Sequence, residues 1–152
     1  MSRNKRLSIL TAAEVEDLYG VPSFNESYQR FYFMLNDKEL AEISRIRQRK
    51  YRCVAIALLG YFKCKPVLLN PRYKSMQDDL VFIARFHYRD LTFRRFSLKP
   101  DQKSRIYARV LSIVGVSNWN DKRHQPQLVE HLCTCAESWV EPRAVFDAAI
   151  EY

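Results

Sequence analysis

The stretch ISRIRQRKYRCVAIALLGYFKCK (residues 43–65) decides the fold, because a basic run passes directly into an apolar one. Five of the eight residues at 45–52 are Lys or Arg. The apolar residues that follow are too crowded for a helix with one exposed face, so they predict a long buried helix over 49–64. Positive charge held on a rigid helix is suited to binding a polyanion. A solvated helix face is an equally good interpretation of the basic run taken alone.

The composition predicts a helix-rich chain that builds its own core. Of its 152 residues 47% are apolar and three are glycine. A chain of this length buries roughly two thirds of the surface that it exposes when unfolded. Scarce glycine also excludes a glycine-rich phosphate loop.

The four cysteines are not typical of a disulfide framework. Cys53 and Cys64 lie in or at the end of the apolar run, and Cys133 and Cys135 form a C-x-C pattern. His131 is close to the second pair, but positions i, i+2 and i+4 of a helix do not share one face. The sequence therefore predicts reduced thiols, no metal site and no cofactor.

Neither a signal peptide nor a membrane span is visible in the sequence. The leading MSRNKRLSIL is basic and lacks an apolar segment of useful length,. The longest apolar run, residues 54–61, is far shorter than a membrane span,. We therefore expect a cytoplasmic protein with no membrane partner.

Positive charge is concentrated in the middle of the chain. The net charge is +8, but residues 43–109 hold 17 Lys or Arg and four Asp, or +13. The remaining residues hold eight basic and 13 acidic side chains, or −5. This asymmetry favours a nucleic-acid partner more than a basic isoelectric point alone would.

Capping signals predict an all-α fold, a compact bundle of about six or seven short helices. Thr11 with Glu14, and Asn36 with Glu39, match the capping box at a helix start,. Pro100 begins a further helix that Gly115 ends, and residues 88–99 before it are predicted as an ordered loop, with a short strand as the alternative,. Turn chemistry follows at 117–121, and later helices are expected from Pro126 to about Trp139 and over residues 143–152.

The domain organisation follows from the same signals. Residues 1–9 are predicted to be a basic leader, and residues 10–152 a single helical domain, with two lobes meeting near 66–75 as the alternative. The sequence stops in mid-helix, which indicates a truncated chain. Within the domain, residues 37–65 resemble a helix-turn-helix pair.

Helical spacing predicts which side chains face the core. The expected core residues are Phe24, Tyr28, Phe31 and Tyr32 of the second helix, Leu40 and Ile43 of the third, Leu80, Phe82, Ile83 and Phe86 of the fifth, and Leu128, Val129, Leu132 and Cys135 of the seventh,.

No catalytic constellation is present in the sequence. It contains no G-x-S-x-G, no H-E-x-x-H and no Walker-type loop,. Asp78 and Asp79 are adjacent, so they diverge by about 100° on a helix, and they are interpreted as first-turn acids. We expect no enzyme activity from this chain alone.

The helix-turn-helix-like pair cannot use its second helix in the usual way. That helix is too apolar to lie in a major groove, where the exposed face must be polar. The DNA-facing residues should therefore lie at its start, where Arg49, Lys50 and Arg52 reinforce the positive end of the helix dipole and hold a phosphate.

An ordered series of residues resembles a known family. The series is Leu10-Thr11-x-x-Glu14, Leu18, Pro22, Tyr32-Phe33-x-Leu35, Leu40, Ile43, Arg47, Tyr51-Arg52, Ala57, Leu59 and Tyr61-Phe62-Lys63, followed by residues 80–84, Val114-Gly115 and residues 142–152. It is similar to the N-terminal domain of Tn-three family transposases. Two positions depart from that pattern: Cys53-Val54-Ala55 replaces Leu-Gly-Phe, and Arg105-Ile-Tyr-Ala-Arg109 replaces Arg-x-x-x-His.

The resemblance implies a non-catalytic domain that binds double-stranded DNA at the terminal inverted repeats of a transposon. In that family strand cleavage belongs to a separate RNase H-like domain, so a transposase remainder or a second copy is an expected partner. The resemblance carries over Arg47, Arg52 and Lys63, and charge adds the rest of the predicted DNA-binding set: Arg45, Arg49, Lys50, Arg72, Lys74, Arg94, Arg95, Lys99, Arg105 and Arg109. Two alternatives are a protein-interaction module with a basic face, and a single-strand or RNA binder that stacks bases on Tyr32, Tyr51 or Phe93.

Overall fold

The computed structural model describes residues 9–117, 122–138 and 141–151. These residues form eight helices and no strand, which confirms the all-helical prediction with eight helices where six or seven were expected. The helices are α1 (Ala12–Tyr19), α2 (Glu26–Phe33), α3 (Asp37–Ser44), α4 (Arg49–Cys64), α5 (Tyr73–His87), α6 (Pro100–Val114), α7 (Gln125–Ser138) and α8 (Pro142–Glu151). None of these helices has both the length and the apolar character needed to cross a membrane.

The chain divides into two compact units, which are described separately. The larger unit is residues 16–116, and the smaller contains the described parts of residues 1–15 and 117–152. Residues 66–75, named as a lobe boundary from the sequence, lie inside the larger unit. In the smaller unit α7 packs against α8.

Helix α4 is the centre of the larger unit. It packs against α2, α3, α5 and α6, and all nine residues from Cys53 to Tyr61 are buried. The predicted bounds of this helix, 49–64, are those observed. Its apolar residues occupy every face because neighbouring helices surround it on several sides.

The predicted helix starts and stops are present at several positions. The Asn36 side chain accepts from the Glu39 amide, and the Glu39 carboxylate accepts from the Asn36 amide, both at 2.9 Å. Gly115 ends α6 with φ 73°, a left-handed conformation that costs glycine little,. Residues 88–99 have no helix or strand, as predicted. Residues 118–121 of the turn predicted at 117–121, and Trp139, lie outside the described residues.

Five side chains predicted to face the core are exposed: Tyr28, Phe31, Leu40, Phe86 and Val129. In α2 the inward face is instead that of Gln29 and Phe33, which are one turn apart. In α3 it is that of Glu39 and Ile43. Each helix has eight residues and buries one narrow face, so a polar side chain with a buried partner displaces an apolar one from it.

Candidate nucleic-acid interface

The turn between α3 and α4 is held by an arginine from α4. Arg52 donates from Nε to the carbonyl oxygen of Ile46 at 2.6 Å and from Nη2 to that of Ser44 at 2.8 Å. These carbonyls lie in the last residue of α3 and just after it, where backbone acceptors lack helical partners,. Arg52 was predicted to contact DNA, and its guanidinium group is used here to fix the turn.

The N-terminus of α4 carries strong positive potential. Its N-cap residue, Gln48, makes no side-chain capping bond, and no acidic residue lies in the first turn. By contrast, α3 begins with a complete capping box and two acidic residues. The amides of Arg49 and Lys50 therefore add the positive end of the helix dipole to two basic side chains.

A cleft lined by four arginines lies beside this helix end. Arg45 and Arg47 of the turn face Arg105 and Arg109 of α6 across a volume of about 380 Å³. We call it the arginine cleft. The side chains of Gln48, Gln102 and Tyr51 also line it, together with one acidic residue, Asp101. The predicted cationic residues 45, 47, 105 and 109 thus come together although about 60 positions separate the two pairs,.

One carboxylate outside the cleft lining positions two of these arginines. Glu42 accepts from Arg45 at 2.9 Å through Oε1 and from Arg109 at 2.8 Å through Oε2. Arg47 and Arg105 are exposed and have no carboxylate within salt-bridge distance among the described residues. The cleft therefore combines two oriented guanidinium groups with two that are available to an anion.

An aromatic cluster joins the cleft to the loop at 88–99. The ring of Tyr51 lies 5.8 Å from that of Phe96, and Lys50 Nζ lies about 5 Å from both ring centres. Phe96 and Phe93 in turn contact Tyr73 at 6.2 and 6.4 Å. These contacts anchor the basic loop against α4 and α5 and fix its exposed arginines in place.

The remaining predicted site residues fall into three groups. Arg94, Arg95 and Lys99 are exposed on the anchored loop or at its end, next to the aromatic cluster. Arg49 and Lys74 are exposed in the first turns of α4 and α5. Arg72 is the N-cap residue of α5 and lines a different hollow, together with Asp78 and Asp79.

Lys63 is occupied by partners within its own chain. Its ammonium donates to the carbonyl oxygen of Met34 and to Glu39 Oε2, each at 2.9 Å. Its side chain is 29% exposed and that of Glu39 is 11% exposed. Lys63 therefore ties α4 to the start of α3 and lies outside the surface described above.

Asp79 has a role that the sequence analysis missed. It was interpreted as a first-turn acid, but it is buried in α5 and accepts from Tyr61 Oη at 2.6 Å and from Gln29 Nε2 at 2.8 Å. Burial raises the pKa of Asp79, while these two hydrogen bonds oppose the shift. The sequence pattern could have indicated this burial, because Asp79 falls among Met76, Leu80 and Ile83 on the buried face of the helix,.

The described residues contain no group of three or more His, Cys, Asp or Glu side chains placed to hold a metal ion. His87 Nε2 lies 2.8 Å from the carbonyl oxygen of Phe33, a contact that packs α5 against the end of α2.

Fold and site together define an all-helical domain with cationic side chains fixed at one helix terminus and one cleft. The chain belongs to the family described as "Domain of unknown function (DUF4158)", whose model matches residues 9–152. Neither the curated proteins nor the solved structures contain a significant match to this chain.

Proposed function

We propose that this domain binds duplex DNA by its phosphates, with no bond chemistry of its own, in the cytoplasm. The contacts are assigned to the arginine cleft, the N-terminus of α4 and the basic loop at 88–99. The observation that carries the proposal is the cleft itself, where four arginines line one space beside an uncapped helix end and two of them, Arg47 and Arg105, have no carboxylate partner among the described residues.

The arginine cleft and the adjacent helix N-terminus are better suited to binding a phosphate group than an isolated basic residue is. A guanidinium group can donate two parallel hydrogen bonds to a phosphate, and a helix N-terminus adds backbone donors. Arg47 and Arg105 have no carboxylate partner among the described residues, so no ion pair has to be broken before they bind a phosphate,. Such contacts set affinity and register on DNA, whereas sequence is read at base edges.

The resemblance to the N-terminal domain of Tn-three family transposases supports a narrower partner, the terminal inverted repeats of a transposon. Arg47 belongs to the resembling series and lines the cleft. Arg105 and Arg109 mark a departure from that series, yet they line the same cleft. The end sequence recognised by this chain would therefore differ in detail from that of other members.

Duplex DNA is favoured over a single strand because the candidate stacking rings already have partners. Tyr32 stacks on Phe24 at 4.8 Å, Phe93 stacks on Tyr73 at 6.4 Å, and Tyr51 lies against Phe96. A platform for successive bases needs exposed ring faces in a row.

A pair of matched double variants tests the proposal. Arg47→Gln with Arg105→Gln removes the two available cleft arginines. Arg30→Gln with Arg85→Gln makes the same charge change at a different hollow, which is also lined by Glu26 and Asp78. Fluorescence anisotropy with a labelled duplex should show roughly 50-fold weaker binding for the cleft variant at 0.1 M salt. The control variant should stay within about threefold of the unaltered protein.

Competition separates the alternatives. A single strand of the same sequence should displace the labelled duplex poorly. Equal losses in the two variants would contradict a localised site. Displacement by heparin as effective as that by any duplex would favour the protein-interaction alternative, with an acidic partner.

A further inference from the structure

An apolar cavity of about 430 Å³ lies in the larger unit beside the proposed DNA surface. Its inner wall is formed by buried side chains of α4 and α5: Val54, Leu58, Met76 and Leu80. Its outer wall is formed by half-buried rings, among them those of Tyr73, Phe96 and Tyr107. A volume of a few hundred cubic ångströms with this lining is typical of a small-ligand site.

The rim of the cavity is cationic. Arg95 and Lys103 lie at the rim, and the lining contains no acidic residue. Arg95 is exposed and has no carboxylate partner among the described residues. Lys103 is held by Asn70 Oδ1 at 2.5 Å, with its ammonium 5.7 Å from the ring centre of Tyr107. An apolar interior with positive charge at its mouth matches a flat apolar group that carries an anion.

One hydroxyl group gives the cavity a polar contact. Tyr107 Oη donates to the carbonyl oxygen of Leu69 at 2.9 Å. The phenol of Tyr107 is neutral at physiological pH, as tyrosine ordinarily is, and burial raises its pKa further, to about 12. Its oxygen therefore retains acceptor capacity toward a ligand that carries an N–H donor.

The cavity and the arginine cleft are adjacent through one ring pair. Phe96 lines the cavity, and Tyr51, 5.8 Å from it between ring centres, lines the cleft. A DNA strand whose phosphates occupy the cleft and contact Arg95 would therefore pass the cavity mouth. A nucleotide displaced from its stack needs this combination: apolar walls around the base and a cation beside the flanking phosphate.

We infer, building on the proposed function, that the cavity receives one unstacked nucleobase of the bound DNA, with Arg95 and Lys103 on the flanking phosphate. The energy needed to unstack a base is smallest where the base is already unpaired. The domain should therefore favour a duplex that offers an unpaired base at the correct position.

The test compares three duplexes of one sequence: continuous, with a single unpaired thymidine, and with a single unpaired abasic nucleotide. The two interrupted duplexes share a flexible backbone and differ in one base. The thymidine bulge should bind about tenfold more tightly than the abasic bulge. Ser97→Trp, which places a large ring at the cavity from an exposed loop position, should make the affinities for the two bulges equal, a comparison made within the variant itself.

Photocrosslinking to the unaltered protein locates the base. With 5-iododeoxyuridine as the unpaired nucleotide, photocrosslinks should fall on Tyr73, Phe96 or Tyr107. Crosslinks elsewhere, or equal affinity for the two bulges, would overturn the inference while leaving duplex binding intact. Failure of the unaltered protein to bind any duplex would instead reject the proposed function. Tight binding of free thymidine monophosphate without a bulge preference would assign the cavity to a free nucleotide and also overturn the inference.

Discussion

The basic side chains of this domain differ in whether they already donate to acceptors of their own chain. Lys63 and Arg52 each donate to two acceptors of their own chain, whereas Arg47 and Arg105 line an open cleft. An ammonium group that is already paired must break its contacts before it can bind a phosphate. The same residue type therefore stabilises the fold in one place and is available for binding in another.

Lys63→Met should lower stability without affecting DNA affinity. The substitution keeps an unbranched apolar stem but leaves Glu39, which is 11% exposed, without its cation. We expect the free energy of unfolding to fall by about 1–3 kcal/mol, measured by denaturant titration. Lys74→Met is the matched control, because Lys74 is exposed and should change stability by less than about 0.5 kcal/mol,. A loss of DNA affinity in Lys63→Met would contradict the structural role assigned to Lys63.

Glu14 gives the smaller unit a pH dependence of known sign. The Thr11 amide and the Arg143 guanidinium lower its pKa from 4.5 to about 2. Because the folded-state pKa lies below the unfolded value, the stabilisation is present above pH 4.5 and is lost as the pH falls toward 2,.

Carboxyl NMR should therefore show Glu14 titrating well below the ordinary glutamate value of 4.5. Arg143→Gln, which removes the 2.8 Å ion pair, should move that titration upward. A midpoint near 4.5 in the unaltered protein would disagree with the contacts described.

At the scale of elements, the crossing of α2 and α4 depends on a glycine. A Cβ atom added to Gly60 would lie 2.4 Å from the ring of Phe33, which is fully buried, and 3.1 Å from the carbonyl oxygen of Tyr32. The two helices approach closely because residue 60 has no side chain. Glycine inside a helix is otherwise unfavourable by about 1 kcal/mol relative to alanine.

Gly60→Ala should destabilise the domain although it raises helix propensity. The overlap with Phe33 is expected to lower the free energy of unfolding by about 1–3 kcal/mol in denaturant titrations. In a Phe33→Leu background the same change should cost less, because the shorter side chain removes the overlapping ring atoms,. A stabilising effect in the unaltered background would show that the crossing is looser than described.

Element positions were predictable where local chemistry sets them. Helix α4 ends before Lys65-Pro66, and α6 lies between Pro100 and Gly115, so their bounds follow from residues that cannot continue a helix,. The inward faces of short helices were less predictable. Tyr28 and Phe31 are exposed because Gln29 turns inward to reach Asp79, a residue 50 positions away.

At the scale of the whole molecule, the charge asymmetry was predictable and its distribution in space was not. Residues 45–52 are basic in the sequence, but their pairing with Arg105 and Arg109 depends on how α6 packs against α3. Likewise, Lys63 lies in the last turn of α4, where the packing of that helix places it against Glu39. The sequence indicated how many cations this part of the chain contains. It did not indicate which of them face a common partner.

The central claim is that the arginine cleft neutralises DNA phosphates. The most direct test is the slope of log affinity against log salt concentration for a duplex. The unaltered domain should show a steep negative slope, and Arg47→Gln with Arg105→Gln should reduce its magnitude by about 2. The Arg30→Gln with Arg85→Gln control should leave it unchanged. A cleft variant with the slope of the unaltered protein would contradict phosphate binding in the cleft.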